Sequence, residues 1–241
     1  MANTALELIK GRAKFLRKAI KSTFDTASYS CPICSHDGRF FLAGTGAPSL
    51  TCPSCRSRPR QRLLSLAACK MNLFDFSGRA GTVLHFAAEP SVERIVRRAN
   101  PKSYLRADIR PERGDIVLNI EDIALPDASY DMIICSHVLE HVDDRRALSE
   151  MFRILRPGGR LITMVPLIEG WDQTYENAAI TSWHERKVHF GGGTHIRFYG
   201  RDFRERLGAA GFTVTEYCAA PEEVVRHGLI AGERVFVATK P

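Results

Sequence analysis

The chain has 241 residues, of which 44% are hydrophobic and 25% charged, with a formal net charge of +7 at pH 7. This composition is typical of a soluble globular protein with room for one substantial domain and a small accessory one. No apolar run approaches the roughly 18 to 20 residues that a membrane-spanning helix needs, so the sequence excludes a transmembrane segment.

Basic residues are concentrated in two places. Apolar residues of the stretch 4–21 recur at three- and four-residue steps, which predicts a basic amphipathic helix in a first segment, 1–28. Such a helix can dock on its own protein, which we favour, bind phosphates, or make peripheral contact with an anionic membrane. A second cluster is expected to form either a solvated helix face or a patch for phosphate or carboxylate groups, and consists of Arg56, Arg58, Arg60 and Arg62.

Four cysteines form two Cys-x-x-Cys pairs, Cys31 with Cys34 and Cys52 with Cys55. Two residues between thiolates let a tight turn direct both sulfurs at one ion, and the second pair completes the tetrahedral sulfur set that zinc prefers. We therefore expect a four-cysteine zinc ribbon and a linker helix over residues 29–78. Four thiolates leave no position for water, which indicates a structural metal.

Disulfide bonds fit this pattern poorly. The cysteines number seven, and the N-terminal sequence has no secretory signal with an apolar core. A reducing cytoplasmic location is therefore expected. Cys69, Cys135 and Cys218 lie in apolar runs and are expected to be buried small hydrophobes.

From residue 82 onward, predicted strands alternate with helices. The strands are expected at 82–86, 104–108, 116–118, 130–135, 160–165, 212–217 and 234–239, and the helices at 91–98, 143–155 and 201–210. Ser91 is expected to cap the first helix, and the run 157–159 to stop the second. This alternation implies a parallel sheet with right-handed crossovers. The predicted fold class is α/β, a Rossmann-like doubly wound seven-stranded sheet over 79–241 with a small N-terminal zinc-ribbon domain.

Asp108 ends the second predicted strand. Ligands of doubly wound sheets bind outside the carboxyl ends of the strands, where the strand order reverses. An acidic side chain at this point can accept hydrogen bonds from ribose hydroxyls. A helix cap or an ordinary loop aspartate is the alternative role.

Three blocks of sequence resemble the class I S-adenosylmethionine-dependent methyltransferases of the type 11 group. They are residues 119–131, residues 132–142 with the run His-Val-Leu-Glu-His, and residues 154–159, which end in Arg-Pro-Gly-Gly. The resemblance covers residues 80–241. It implies S-adenosylmethionine as cofactor and methyl transfer as the reaction.

Site residues follow from this resemblance position by position. It implies that Asp108 binds the ribose, that Asn119 and Ile120 flank the adenine, and that Ser136 and His137 line the cofactor near its sulfonium. Asn119 stands where the family usually has aspartate, and its amide oxygen preserves an acceptor for the adenine amino group.

The turn after the first predicted strand departs from the family pattern. The family has an acidic residue and a glycine-rich turn there, whereas residues 85–90 contain no glycine. His85, Ala87 and Glu89 are expected to contact the cofactor, with Glu89 binding the methionine amino group in place of the missing acid. Alanines can replace the glycines only if the turn keeps negative φ.

Methyl transfer from a sulfonium is an in-line displacement that depends on alignment and water exclusion. A general base is needed only when the acceptor must lose a proton, and His137 is the candidate. His195, Arg197 and Tyr199 follow a run of three glycines in a long connection. They are expected either to belong to a lid over the substrate or to anchor the loop.

The favoured interpretation is a cytoplasmic methyltransferase of a small-molecule, sugar or lipid-linked acceptor, with a zinc ribbon that is structural or recruits substrate. An RNA methyltransferase of the ribosomal-RNA type is one alternative, disfavoured by the modest charge and the few aromatic residues between the cysteine pairs. A noncatalytic zinc-ribbon binding protein with a degenerate cofactor pocket is the other. Asp108 and the three blocks argue against it.

Overall fold

A computed structural model describes residues 27–43, 49–78 and 81–241. The predicted helix at 4–21 lies outside these ranges. The chain forms two compact units. The cysteine unit contains the described residues up to Leu66 together with Ala219–Ala231, and the sheet unit contains Ala67–Cys218 and Gly232–Pro241.

The helices and strands follow the predicted alternation. The helices are α1 (Pro59–Lys70), α2 (Pro90–Arg98), α3 (Asp144–Ile154), α4 (Trp183–Phe190), α5 (Phe203–Ala209) and α6 (Pro221–His227), with a 3-10 turn at Leu139–His141. The strands are β1 (Tyr29–Ser30), β2 (Asp37–Gly38), β3 (Phe41–Ala43), β4 (Ser49–Thr51), β5 (Thr82–Phe86), β6 (Ser103–Asp108), β7 (Ile116–Val117), β8 (Tyr130–Ser136), β9 (Leu155–Met164), β10 (Tyr175–Glu176), β11 (Arg197–Phe198), β12 (Thr213–Cys218) and β13 (Arg234–Thr239). No helix in the described ranges is both long and apolar enough to cross a membrane.

Seven strands form the main sheet in the order β12-β13-β9-β8-β5-β6-β7. Strand β13 runs antiparallel to β9 and β12, and the other neighbours are parallel. Strand β5 pairs with β6 on one side and with β8 on the other, so the strand order reverses there. The Rossmann-like seven-stranded fold predicted from the sequence is confirmed.

The core of the sheet unit lies on both faces of the central strands. Strand β8 is buried along its whole length, as expected of a parallel strand covered on two sides. Its Ile133 and Cys135 pack in one hydrophobic cluster with Leu84 and Phe86 of β5. Cys135 is therefore a buried small hydrophobe, but the same expectation is wrong for the other two cysteines, Cys69 and Cys218, which are exposed.

Two local predictions need correction. Helix α2 begins at Pro90 with Glu89 in the N-cap position, because proline is favoured in the first helical turn. The run 157–159 lies inside β9, where the pairing with β8 shifts register, and so does not separate a helix from a strand. Helix α4 was not predicted, although its Ser182 and Glu185 form a capping box that the sequence displays.

A buried arginine explains why residues 219–231 belong to the cysteine unit. Arg62 is fully buried, and its guanidinium donates to the carbonyl oxygens of Ser57 (2.6 Å), His227 (2.7 Å) and Gly228 (2.7 Å). His227 Nδ1 lies 2.7 Å from the carbonyl oxygen of Ser30. These long-range bonds link residues 227 and 228 to the rest of the cysteine unit. The compact unit ends at Leu66 and includes 219–231, whereas the sequence analysis placed a boundary at residue 78. Arg62 belongs neither to a solvated face nor to a phosphate patch.

Candidate active site and cysteine cluster

A cavity of about 450 Å³ lies at the carboxyl ends of β5, β6 and β8, where the strand order reverses. This is the position at which open α/β sheets bind their ligands. Five of the predicted site residues line it, namely Ala87, Asp108, Asn119, Ile120 and His137. The structure therefore brings together residues that are up to 50 positions apart in the chain.

Asp108 and Asn119 hold the loops of this cavity through their side chains. Asp108 Oδ1 accepts the backbone N–H of Arg110 at 2.9 Å, and Asn119 Oδ1 accepts that of Glu121 at 3.1 Å. Each bond closes a turn of the kind that aspartate and asparagine favour. One oxygen of the half-buried Asp108 carboxylate thus fixes the loop, and the second retains its capacity to accept a bond from a ligand.

Two residues on the cavity wall have left-handed backbone conformations. Ala87 has a φ of +47° and His137 a φ of +55°. Such a conformation costs an L residue roughly 1 to 2 kcal/mol relative to right-handed backbone. The condition that the turn after β5 keeps negative φ is not met, because Ala87 adopts the conformation that a glycine would supply. Both residues donate their N–H to a neighbouring strand, Ala87 to Ala107 O at 2.9 Å and His137 to Met164 O at 2.8 Å.

Three predicted cofactor contacts are not on the cavity wall. His85 is fully buried on the opposite face of β5 from Phe86, and its Nδ1 lies 2.7 Å from Tyr104 Oη. Burial lowers the pKa of His85 to about 3. Glu89 occupies the N-cap position of α2, and Ser136 is buried at the end of β8. The alternation of side chains along β5 turns His85 away from the cavity, which the neighbouring Phe86 lines.

His137 and Glu140 form a pair beside the cavity. His137 Nδ1 lies 3.2 Å from Glu140 Oε1, and the Glu140 side chain is fully buried. Burial raises the pKa of Glu140, but the hydrogen bond and the charge of His137 lower it by more, so it stays below its ordinary value. A role for His137 as general base remains a prediction.

The segment after the three glycines anchors the 3-10 turn at Leu139–His141. Tyr199 is fully buried with its Oη 3.0 Å from Leu139 O, and Arg197 Nη1 donates to Leu139 O at 3.1 Å and to Val142 O at 2.7 Å. Neither Arg197 nor Tyr199 lines the cavity. These contacts favour the anchor over the lid for these two residues.

The glycines of this segment permit close approach of other side chains. A Cβ atom on Gly192 would lie 2.6 Å from Cδ2 of His195, and one on Gly193 would lie 2.1 Å from Nε1 of Trp183. Real Cβ atoms essentially never come so close to another heavy atom. Close packing therefore gives Gly192 and Gly193 a structural reason, and a hinge at these glycines stays a prediction.

The sequence analysis assigned none of the wall's other polar side chains to the site, which are those of Arg110, Arg113, His141 and Thr194. The two arginines follow directly after β6, and that position was a usable signal. No sequence signal pointed to Thr194, because it lies more than 50 residues further along the chain than β5, β6 and β8, the strands that form the cavity.

The four paired cysteines converge in the cysteine unit. Cys31 Sγ lies 3.5 Å from Cys55 Sγ, and Cys34 Sγ lies 3.7 Å from Cys52 Sγ. All four sulfurs lie within 4.8 Å of one another. Disulfide sulfurs are about 2.05 Å apart, whereas a tetrahedron with zinc–sulfur bonds of about 2.3 Å has edges of about 3.8 Å. The spacing fits a tetrahedral metal site.

Comparison with known families identifies the fold. A methyltransferase domain family matches residues 54–217, more than half of the 241 residues. The chain belongs to this methyltransferase domain family, and its predicted place among the class I S-adenosylmethionine-dependent methyltransferases is confirmed. This family assignment accounts for both the strand order and the position of the cavity.

Individual relatives match only part of the chain. A probable S-adenosylmethionine-dependent methyltransferase of Mycolicibacterium smegmatis is 42% identical over 64 residues, which are 26% of this chain and 23% of the relative. The ubiquinone/menaquinone biosynthesis C-methyltransferase UbiE of Vibrio parahaemolyticus is 39% identical over 62 residues, 24% of each chain. The chain thus spans about a quarter of the length of these curated relatives.

Two solved structures show the same fold at low sequence identity. The YcgJ protein of Bacillus subtilis superposes with a TM-score of 0.50 at 12% identity, over 73% of this chain and 98% of that one. A SAM-dependent methyltransferase of Archaeoglobus fulgidus superposes with a TM-score of 0.50 at 15% identity, over 75% of this chain and 94% of that one.

Proposed function

We propose that the chain is a methyltransferase that transfers the methyl group of S-adenosylmethionine to a small-molecule, sugar or lipid-linked acceptor. The observation that carries this proposal is the cavity at the switch point of the sheet, with Asp108 on its wall. Its volume of about 450 Å³ is in the range of small-molecule sites. The match to a C-methyltransferase of quinone biosynthesis supports an acceptor of this kind.

The side chains on the wall fit the cofactor. Bound S-adenosylmethionine would supply a methyl group on its sulfonium, and the rest of the cofactor would leave as a neutral thioether. The Asp108 carboxylate is placed to accept hydrogen bonds from ribose hydroxyls. Leu118 and Ile120 provide apolar surface for the adenine. His137, on the same wall, is the candidate that takes a proton from an acceptor hydroxyl.

Calorimetric titration with S-adenosylhomocysteine tests the proposal. Wild type is expected to show saturable binding, and Asp108→Ala is expected to bind about 10- to 100-fold more weakly, because a hydrogen bond to a charged group is lost. Glu112→Ala is the matched control, since Glu112 is an exposed acid on the same loop that does not line the cavity. Equal affinity of the two variants would contradict the assignment, and absent binding by folded wild type would favour the noncatalytic alternative.

We also propose that Cys31, Cys34, Cys52 and Cys55 hold one structural zinc ion. The sulfur spacing and the absence of disulfide bonds among the described cysteines support it. Elemental analysis is expected to find one zinc per cysteine cluster, lost in Cys34→Ser and retained in Cys218→Ser.

No contact in the described ranges favours RNA as the acceptor. The helix predicted for membrane or phosphate contact, at 4–21, lies outside those ranges. Cytoplasmic location stays a prediction. The choice among a small molecule, a sugar and a lipid-linked acceptor is for a substrate screen to make once cofactor binding is established.

A further inference from the structure

A second set of metal-ligating groups lies beside the cavity. Glu140 and His141 end the 3-10 turn after β8, and His195 follows the three glycines. One ligand atom from each of the three residues lies within 4.8 Å of the other two. Because residue 195 is more than 50 positions from the other two, the fold alone brings them together.

Glu140 supplies a carboxylate that the described protein satisfies only in part. Its side chain is fully buried, and Oε1 is bonded to His137 Nδ1 at 3.2 Å. Oε2 is also buried and has no hydrogen-bond partner among the described residues. A buried charged oxygen without a partner costs several kcal/mol, unless a cation or another donor meets it.

Each of the two histidines uses one ring nitrogen in a hydrogen bond to a backbone carbonyl oxygen. His141 Nδ1 lies 3.1 Å from Thr194 O, and His195 Nδ1 lies 2.9 Å from Phe190 O. A carbonyl oxygen only accepts hydrogen bonds, so both Nδ1 atoms carry the proton. In the neutral rings each Nε2 therefore has a free lone pair. A backbone carbonyl that fixes the tautomer in this way is the usual partner of a metal-bound histidine.

The surrounding structure fixes both rings. The centroids of His141 and His195 lie 4.7 Å apart with the ring planes at 83°. Gly192 leaves room for the His195 ring, whose Nε2 would lie 2.7 Å from a Cβ at that position. Ile196 N–H donates to Glu140 O at 2.9 Å, which joins the two segments next to the ligand groups.

We infer that Glu140, His141 and His195 form a binding site for one divalent transition-metal cation beside the cavity. Two imidazoles with one carboxylate suit zinc, iron or manganese better than the oxygen-preferring magnesium or calcium. Three protein ligands leave coordination positions open, in contrast to the four thiolates.

The position of the site suggests the class of acceptor, a step that rests on the proposed function. His141 and Thr194 line the cavity, so a cation held by His141 would face its contents. An open position there binds an oxygen of the acceptor and lowers the pKa of a bound hydroxyl. The acceptor would then be a hydroxyl- or enol-bearing molecule, whose proton would pass to His137 on the same wall as the methyl group is transferred.

The test uses the full chain with the metal of its cysteine cluster in place. Wild type is titrated calorimetrically with Mn²⁺, Zn²⁺ and Mg²⁺, and Co²⁺ absorption is recorded. We expect one additional equivalent of Mn²⁺ or Zn²⁺, weaker Mg²⁺ binding, and a Co²⁺ spectrum without sulfur-to-metal charge transfer, since no thiolate is a ligand. S-adenosylhomocysteine binding is measured on the same samples.

Variants separate a ligand role from a structural one. Glu140→Gln and His195→Gln are expected to lower cation affinity by more than 100-fold, whereas Gly192→Ala, which only displaces the His195 ring, is expected to lower it about 10- to 100-fold. His184→Gln is the matched control, because His184 is an exposed histidine outside the cluster. Retained S-adenosylhomocysteine binding shows that each variant is folded.

The outcomes distinguish this inference from the proposed function. Wild type that binds S-adenosylhomocysteine but takes up no cation beyond the cysteine cluster would overturn the metal site and leave the methyltransferase intact. Unchanged cation affinity in His195→Gln would also overturn the metal site. Cation uptake without S-adenosylhomocysteine binding would support the site and count against the proposed function.

Discussion

The sheet unit and the cysteine unit are stabilised by different kinds of contact. In the sheet unit, one hydrophobic cluster extends from Leu84 on β5 to Ala238 on β13. In the cysteine unit, the buried groups include Cys31, Cys52 and Arg62, which are thiols and a guanidinium. Small units bury too little apolar surface to be stable on that basis alone and depend on added links such as metals. Single polar groups should therefore matter far more in the cysteine unit.

The largest expected effect is the loss of one thiolate. Cys52→Ser removes a soft ligand from the four-sulfur set, and metal binding in such units is largely their folding free energy. We expect the free energy of unfolding of the cysteine unit to fall by more than about 4 kcal/mol, with loss of zinc. Denaturant unfolding with parallel zinc analysis measures both.

Cys69→Ser is the control for this prediction. Cys69 is exposed and outside the cluster, so its replacement should change stability by less than about 0.5 kcal/mol. A Cys52→Ser protein that unfolds at the wild-type midpoint would show that the thiolates do not hold the unit together.

Loss of the buried guanidinium should have the next largest effect. Arg62→Met preserves much of the side-chain length but leaves four carbonyl oxygens without their donor, those of Leu50, Ser57, His227 and Gly228. We expect a loss of about 3 to 5 kcal/mol, because each unsatisfied buried group costs about 1 to 3 kcal/mol.

The exposed Arg58 provides the comparison, since Arg58→Met should cost less than about 0.5 kcal/mol. Arg62→Lys should recover only part of the loss, because an ammonium cannot reproduce the planar fork of donors. If the two methionine variants unfold alike, the guanidinium is not a structural link.

The pH dependence of stability tests the sheet unit through its buried His85. Burial lowers the pKa of His85 to about 3, while a histidine in the unfolded chain titrates near 6.5. Between those values the unfolded state binds the proton and the folded state does not. The contribution of neutral His85 to the free energy of unfolding is therefore fully present above pH 6.5. It is lost as the pH falls toward 3, by up to about 1.4 kcal/mol per pH unit.

His85→Gln preserves a polar partner for Tyr104 and cannot titrate, so its unfolding free energy should depend less on pH between 6.5 and 4. Thermal unfolding across this range, with His184→Gln as the exposed control, measures the difference. Parallel curves for wild type and His85→Gln would mean that the side chain is hydrated in solution.

Local patterns made much of the fold and the cysteine cluster predictable. The apolar run 82–86 and the run 234–239 are strands with the predicted bounds, because each is a continuous buried segment with clear ends. The four cysteines converge as their spacing indicates, because a two-residue interval directs both sulfurs to one point. The position of Asp108 on the cavity wall was predictable, because the end of the strand that carries it can be recognised in the sequence.

Contacts between distant segments were not predictable in the same way. Arg62 resembled its exposed neighbours in the sequence, and only the fold presents it with carbonyls from residues 227 and 228. His195 was assigned to a lid or an anchor, whereas the fold sets its ring beside that of His141. His85 was expected at the cavity because the resemblance fixed its position along the strand but not the face to which its side chain points.

The smallest expected effect has the opposite sign and lies in the sheet unit. Ala87→Gly relieves a left-handed conformation at a φ of +47°. The relief of roughly 1 to 2 kcal/mol exceeds the entropy that glycine adds to the unfolded chain, so we expect a gain of about 0.5 to 1 kcal/mol.

Ala88→Gly is the matched control, because Ala88 has no positive φ and the same substitution should cost about 0.5 to 1 kcal/mol there. The melting temperatures of the two variants should therefore separate by about 2 to 8 °C in opposite directions from wild type. Equal losses in both would show that the turn after β5 is not strained in solution. Opposite shifts would mean that the turn after β5 keeps a backbone conformation that alanine disfavours. The apolar core of the sheet unit offsets that cost in free energy, whereas the cysteine unit has less buried apolar surface with which to offset a similar one.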